Sequence, residues 1–243
     1  MKTTLNILYK LYSFCIALPL FVIVTIVIAT AVIVASFCGD RDVTSYYGPK
    51  WWSRITCWLF LVRVRVTGRE HISPEQSYVF LANHQGYFDI FLLYGYLGHN
   101  FKWMMKEYLR KIPFVGYACA KSGQIYVGDT RASMQRTVRQ AHKTLQGGMS
   151  MVIFPEGTRT YTGDMGPFKK GAFTLANEIG LPIVPMTING SFHVFNRRAR
   201  SVNYGTLTLT IHPAITVEER QGKPTAVLMQ QVHDIIHQDL HLS

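Results

Sequence analysis

Charged side chains are spread unevenly along this chain. From Leu11 to Phe37 there is none, and Phe21 to Ala35 is almost wholly Val, Ile, Ala and Thr. A helix of that length, at about 1.5 Å per residue, covers about 40 Å, more than the ~30 Å apolar core of a bilayer. A signal peptide has a shorter apolar core and a small-residue cleavage site, which Ala35-Ser36-Phe37 imitates poorly. A buried core helix is rarely this long without a charge. Residues 11–37 are therefore expected to form a retained membrane helix. A polar stretch with the turn formers Gly48 and Pro49 follows, and then Trp51, Trp52 and Trp58 gather around Arg54. Amphipathic rings favour the headgroup region, so residues 50–62 are expected to form an interfacial helix. The competing reading packs these tryptophans against the domain that follows.

Beyond this point the period shortens. Leu61 to Val66 alternates apolar and basic residues, as a half-exposed strand does. Ser77–Ala82, Ser122–Val127, Ser150–Phe154, Leu181–Ile188 and Thr206–His212 read as further strands. Helical patterns run over Asp89–Leu97, Ser133–Leu145, Ala172–Glu178 and Ala226–Leu240, two of them ended by glycine. Strands alternating with helices indicate an α/β layered domain. The division expected is a membrane anchor over 1–64 and a catalytic domain over 65–243.

Composition sharpens the first inference. Hydrophobic residues make up 48% and charged residues 16%, against about 25% charged in an average soluble protein. The four cysteines form no C-x-x-C pair, so neither a disulfide framework nor a zinc site is indicated. The formal net charge is +11, and only Lys2 and Lys10 of the 25 basic residues precede the apolar run. That asymmetry, carried near the membrane by Arg41, Lys50 and Arg54, puts the larger part on the cytoplasmic face. No nucleic-acid motif is present. Membrane lipids and a phosphorylated substrate account for the charge, and nucleic acid is not expected as a partner. His233, His237 and His241 recur every four residues, but no acidic or thiol partner completes a metal site, and they read as a surface stripe.

Two motifs carry chemistry. Asn83-His84-Gln85-Gly86-Tyr87-Phe88-Asp89 follows a strand and opens a helix, with Asp89 placed as its N-cap. A carboxylate there can accept the N–H of His84, which fixes the tautomer and leaves the other nitrogen as a general base. Phe154-Pro155-Glu156-Gly157-Thr158-Arg159 also follows an apolar strand. Its glycine permits close backbone approach, and its hydroxyl and guanidinium suit a phosphate. Seen alone, it is equally a loop with a Glu156–Arg159 surface ion pair.

Together these motifs, NH-x4-D at 83–89 and FPEGTR at 154–159, resemble the 1-acyl-sn-glycerol-3-phosphate acyltransferase family, bacterial type. Ile112-Pro113-Phe114-Val115-Gly116 with Gly123 to Val127 is similar to the family's second block. Leu181-Pro182-Ile183-Val184-Pro185-Met186 is similar to the fourth, and Phe168-Lys169-Lys170-Gly171-Ala172 follows the third. The resemblance spans residues 65 to 215. The fold class expected is α/β, a mixed central sheet flanked by helices, preceded by a two-helix membrane anchor. Two positions depart from the pattern. Gly86 stands where the family has serine, removing a small polar contact, and Asp129 stands where the second block ends in a phosphate-holding arginine.

The resemblance implies that His84 is the base and Asp89 its orienting carboxylate. It implies that Glu156, Gly157, Thr158 and Arg159 bind the glycerol phosphate, with Gly171 adding backbone donors. Arg131 takes the missing arginine's place, or Arg159 and Lys106 serve without it. The reaction implied is acyl transfer from acyl-CoA or acyl-carrier protein to lysophosphatidic acid, forming phosphatidic acid, with no cofactor and no metal. Rival readings keep the chemistry on another acceptor (glycerol 3-phosphate, another lyso-phospholipid or a lyso-amino lipid), or make the chain a lipid hydrolase or an idle lipid-binding protein. The hydrolase lacks a G-x-S-x-G elbow, and the intact His84 and Asp89 speak against idleness.

Overall fold

A computed structural model of the chain describes residues 2–39, 41–113, 115–128, 130–199 and 201–241. The apolar N-terminal segment is one helical run: α1 (Lys2–Tyr12), a π-helical turn (Ser13–Ala17) and α2 (Leu18–Cys38). Pro19 explains the wide turn. It has no N–H to give the preceding turn, and its ring would crowd the carbonyl four residues back. Thr4–Phe37 is long and apolar enough to cross a membrane, and only 17% of its most apolar window is buried. A core helix would be covered on most sides. This one marks the chain as membrane-associated.

α3 (Arg41–Leu59) begins earlier than the expected 50–62 and runs straight through Gly48 and Pro49, which were expected to turn. Close packing against α2 outweighs their poor helix propensity: a Cβ on Gly48 would stand 2.4 Å from a Val32 methyl. The two helices pack antiparallel, Gly48 beside Val32 and Tyr12 donating its hydroxyl proton to the Leu59 carbonyl at 2.9 Å. The tryptophans divide between the two readings. Trp52 turns inward, donating its indole N–H to Thr25 Oγ1 at 2.9 Å and packing on Phe91. Trp51 and Trp58 face outward.

The sheet has seven strands: β1 (Val62–Thr67), β2 (Val79–Ala82), β3 (Phe101–Lys106), β4 (Ile125–Val127), β5 (Ser150–Ile153), β6 (Ile183–Asn189) and β7 (Gly205–Ile211). Their order is β1-β7-β6-β2-β5-β3-β4. It is mixed, because β7 pairs antiparallel with β6 and every other pairing is parallel. Central β2 and β5 are buried throughout, which is why they read as continuous apolar runs rather than alternations. Phe80, Ala82 and Val152 face α3 and α4 (Phe88–Tyr96), whereas Val79, Leu81, Met151 and Ile153 face α6 (Arg131–Thr144), α7 (Lys170–Ile179) and α10 (Thr225–Gln238).

β3 has no counterpart among the expected strands. Lys102 hides it in the sequence, since a lysine inside Phe-Lys-Trp-Met-Met reads as a surface. In the fold that side chain is buried, and its ammonium donates to the Ser122 carbonyl at 3.0 Å. α5 (Val115–Lys121) and the short α8 (Ser191–Phe195) and α9 (Val217–Arg220) complete the described α-helices. The connections also locate the site. From β2 the chain passes through α4, on one face, to β3; from β5 it passes through α7, on the other, to β6. The carboxyl ends of β2 and β5 thus lie side by side at a topological switch point, where such sheets open a crevice.

The division of the tryptophans is testable by thermal unfolding in detergent. Trp52→Ala is expected to destabilise the fold by about 3 kcal/mol, and Trp58→Ala by no more than about 0.5 kcal/mol. Equal effects would mean that α3 does not present these faces.

Candidate active site

The loops that leave β2 and β5 build the site. Asn83, the first residue past β2, ties its loop to β6: its amide donates to the Ile188 carbonyl at 2.8 Å and accepts the Ile188 N–H at 2.7 Å. The His84 ring lies flat on Phe154, the first residue past β5, with centroids 3.8 Å apart and planes 5° apart, and Trp103 of β3 stacks on the far side of Phe154. At the ring edge, Nδ1 lies 2.6 Å from Asp89 Oδ2. An ionised carboxylate only accepts, so Nδ1 carries the proton and Nε2 keeps its lone pair. The His84 side chain is 15% exposed and that of Asp89 fully buried, so the pair meets solvent through the imidazole alone.

Asp89 is not the N-cap. That position belongs to Tyr87, which makes no side-chain cap; Asp89 is the second residue of α4, in its first turn. Its Oδ2 accepts the Gly86 N–H at 3.0 Å as well as the imidazole, because the loop folds back over the first turn and brings both donors to one oxygen. Gly86 fits no larger residue. A Cβ there would stand 2.6 Å from the Ser191 carbonyl, 2.7 Å from that of Phe195 and 2.7 Å from Ser191 Oγ. The space beside Gly86 is thus closed by Ser191 of α8, a residue that no motif marks, whose hydroxyl makes no hydrogen bond among the described residues.

Glu156 joins the two loops. It accepts the His84 main-chain N–H on Oε1 at 2.7 Å and the Gly166 N–H on Oε2 at 2.8 Å. Thr160 N–H returns the tie, donating to the His84 carbonyl at 2.9 Å. Each carboxyl oxygen therefore accepts one main-chain N–H, so that Glu156 shapes the loop, and among the described residues no ion pair joins it to Arg159. Burial pushes its carboxyl up to about 7, outweighing the two main-chain donors that pull it down, and the neighbouring Asp89 adds to the rise.

The cationic side of the site is open. Arg159 lies over the Tyr87 ring, its guanidinium carbon 3.6 Å from the centroid. Thr158 is exposed, and Gly157, at φ +70°, leaves room for the Lys169 ammonium, 2.8 Å from where a Cβ would stand. Lys106 is exposed at the carboxyl end of β3, on the strand beside β5. Gly171 lies in the first turn of α7, with open space where a Cβ would be. Arg131 opens α6, its side chain outside the described residues, as is the whole of Asp129 and of Phe114 in the second block. His233 and His237 stack on one another on α10 while His241 lies past its end, and among the described residues no group of three His, Cys, Asp or Glu is arranged to hold a metal.

Two measurements probe this frame. Gly86→Ala should cost about 1–3 kcal/mol in thermal unfolding, and Ser191→Gly should not relieve it, since two of the three close atoms are main-chain carbonyls; full relief would mean that the serine hydroxyl is the only obstacle. Native Glu156 holds its proton up to about pH 7, whereas the unfolded carboxyl loses it near 4.5. The native state therefore binds more protons between those values, and stability falls as pH rises from about 4.5 to about 7. Glu156→Gln should flatten that slope in denaturant titrations; an unchanged slope would assign it to another group.

Comparisons with known proteins place the whole chain. Residues 63–189 match the family model described as Acyltransferase. The chain is 32% identical over 187 residues to the 1-acyl-sn-glycerol-3-phosphate acyltransferase of Pseudomonas aeruginosa, covering 74% of this chain and 71% of that one. It is 30% identical over 212 residues to a protein of the same name from Chlamydomonas reinhardtii, covering 86% of this chain but 62% of that one. A chloroplastic relative from Brassica napus shows 29% identity over 225 residues, 91% of this chain and 63% of its own. The chain thus spans less than two thirds of the length of these last two relatives. The crystal structure of the 1-acyl-sn-glycerophosphate (LPA) acyltransferase PlsC from Thermotoga maritima superposes with a TM-score of 0.79 at 25% identity, covering 99% of this chain and 96% of that one. With the matched region holding both strand-end loops and the strands β2 and β5 that carry them, this chain belongs to the acyltransferase family.

Proposed function

We propose that the chain is an O-acyltransferase that moves an acyl group from acyl-CoA or acyl-carrier protein to the free hydroxyl of 1-acyl-glycerol 3-phosphate, forming phosphatidic acid in phospholipid synthesis. The observation that carries this reading is the His84–Asp89 pair: Nδ1 is held at 2.6 Å by a buried carboxylate, at the edge of a cationic loop. As the acceptor oxygen attacks the thioester carbonyl carbon, its proton passes to His84 Nε2. The imidazolium so formed is stabilised by Asp89. The C–S bond then breaks and the departing thiolate takes the proton back. No acyl-enzyme and no cofactor are needed, because the thioester is already activated.

Arg159 and Thr158 suit the acceptor phosphate, Gly157 lets it approach the backbone, and Lys106 and Arg131 are the further cations that can join them. The relatives' names support lysophosphatidic acid as the acceptor. The apolar helix suits substrate and product, both of which live in the bilayer. The basic residues that follow it suit a catalytic domain on the cytoplasmic face.

The test is release of free thiol from palmitoyl-CoA by detergent-purified protein, with and without lysophosphatidic acid. Acceptor-dependent release is expected, falling by at least about 10² in His84→Ala. Release indifferent to acceptor would make the chain a hydrolase. No release from the wild type would exclude this donor and acceptor as a pair.

A further inference from the structure

Arg197 lies outside every motif, in the turn that follows α8. Two features hold that turn in place: Asn196 Oδ1 accepts the N–H of Arg198 at 2.9 Å and of Ala199 at 3.0 Å, and Tyr87 N–H donates to the Phe195 carbonyl at 3.0 Å. The Arg197 side chain crosses to the loop after β5. Its Nη1 donates to Thr158 Oγ1 at 2.7 Å and reaches the Arg159 carbonyl at 3.5 Å, while its guanidinium lies over the Tyr161 ring at 4.2 Å.

Charge decides what this contact is for. Arg159, Lys169 and Arg197 converge on the turn at 156–160, and among the described residues no carboxylate pairs with any of them. Three uncompensated cations on one turn repel one another. Such an arrangement is favourable when an anion sits among them. Both arginines rest on aromatic faces, which order a guanidinium while leaving most of its N–H donors unspent. A phosphate monoester carries up to two negative charges and presents three oxygens, more than one guanidinium fork satisfies.

Resting on the acceptor reading above, we propose that Arg197 is a further phosphate-binding residue of the acceptor site, closing over the Thr158–Arg159 turn from the side opposite β3. It sets affinity for a monoester headgroup and takes no part in proton transfer.

The experiment measures KM for lysophosphatidic acid, KM for palmitoyl-CoA and kcat in wild type, Arg197→Ala, Arg197→Lys and Arg198→Ala. In Arg197→Ala the acceptor KM should rise by about 10- to 100-fold, with kcat and the thioester KM held within about twofold. Arg197→Lys, which keeps the charge but loses the fork, should recover part of the loss. Arg198→Ala, whose neighbouring side chain makes no hydrogen bond to the turn, should stay within about twofold of wild type. An unchanged acceptor KM in Arg197→Ala overturns the proposal while acceptor-dependent turnover still upholds the transferase. A fall in kcat with both KM values unchanged overturns it too, making Arg197 a loop support. Wild type that ignores lysophosphatidic acid overturns the acceptor reading and this one with it.

Discussion

Two parallel strands that end side by side leave a difficulty for any chain: the loops that follow them must turn away, yet here they must stay within contact distance. Glu156 resolves it with one carboxyl group. By accepting the His84 N–H on one oxygen and the Gly166 N–H on the other, it fixes the first residues of the loop after β2 against the far limb of the loop after β5. The return bond from Thr160 to the His84 carbonyl closes the tie. His84 is therefore held through its own peptide groups on both sides before its side chain makes any contact. A carboxyl buried in this way is pushed up to about 7. That unfavourable burial is the cost of a rigid joint between segments 72 residues apart.

The side chain is then fixed by two contacts of different kinds. Stacking on Phe154, itself backed by Trp103, sets the plane of the imidazole; the buried Asp89 sets its rotation within that plane. Neither suffices alone. Stacking leaves the ring free to spin, and one hydrogen bond leaves it free to tilt. The three aromatic or imidazole rings come from β3, from the first residue past β5 and from the loop after β2, so the pairing of those strands sets the stack. The orientation of the imidazole is therefore set by the pairing of the strands and not by its own loop alone.

How much of this could be read in the sequence follows from where each interaction lies. The meeting of His84 with Asp89 was legible from their spacing across a strand-to-helix turn, and the FPEGTR turn became legible only beside it, as the second part of one family pattern. The mixed α/β sheet followed from alternating elements and from the family resemblance. What escaped depended on contacts between distant segments. β3 was concealed by Lys102, whose buried ammonium is satisfied by a carbonyl twenty residues on. The helix through Gly48 and Pro49 forms because α2 lies against it. Ser191 closes on Gly86 from α8, and Arg197 reaches Thr158 across thirty-nine residues. No local pattern distinguishes such residues from an ordinary helix end or surface loop.

The N-terminal hairpin is more than an attachment, because of what it packs against. Arg54 of α3 donates its Nε–H to the Gly95 carbonyl of α4 at 2.9 Å, Trp52 packs on Phe91, and a Cβ on Gly95 would stand 3.2 Å from that of Ser53. α4 is the helix that carries Asp89 in its first turn. The apolar segment is thus connected to the orienting carboxylate through two helix–helix interfaces, α2 on α3 and α3 on α4, with no flexible linker in the described path. A tether would only keep the domain near the bilayer. Rigid docking also fixes the direction in which His84 faces relative to the apolar helix.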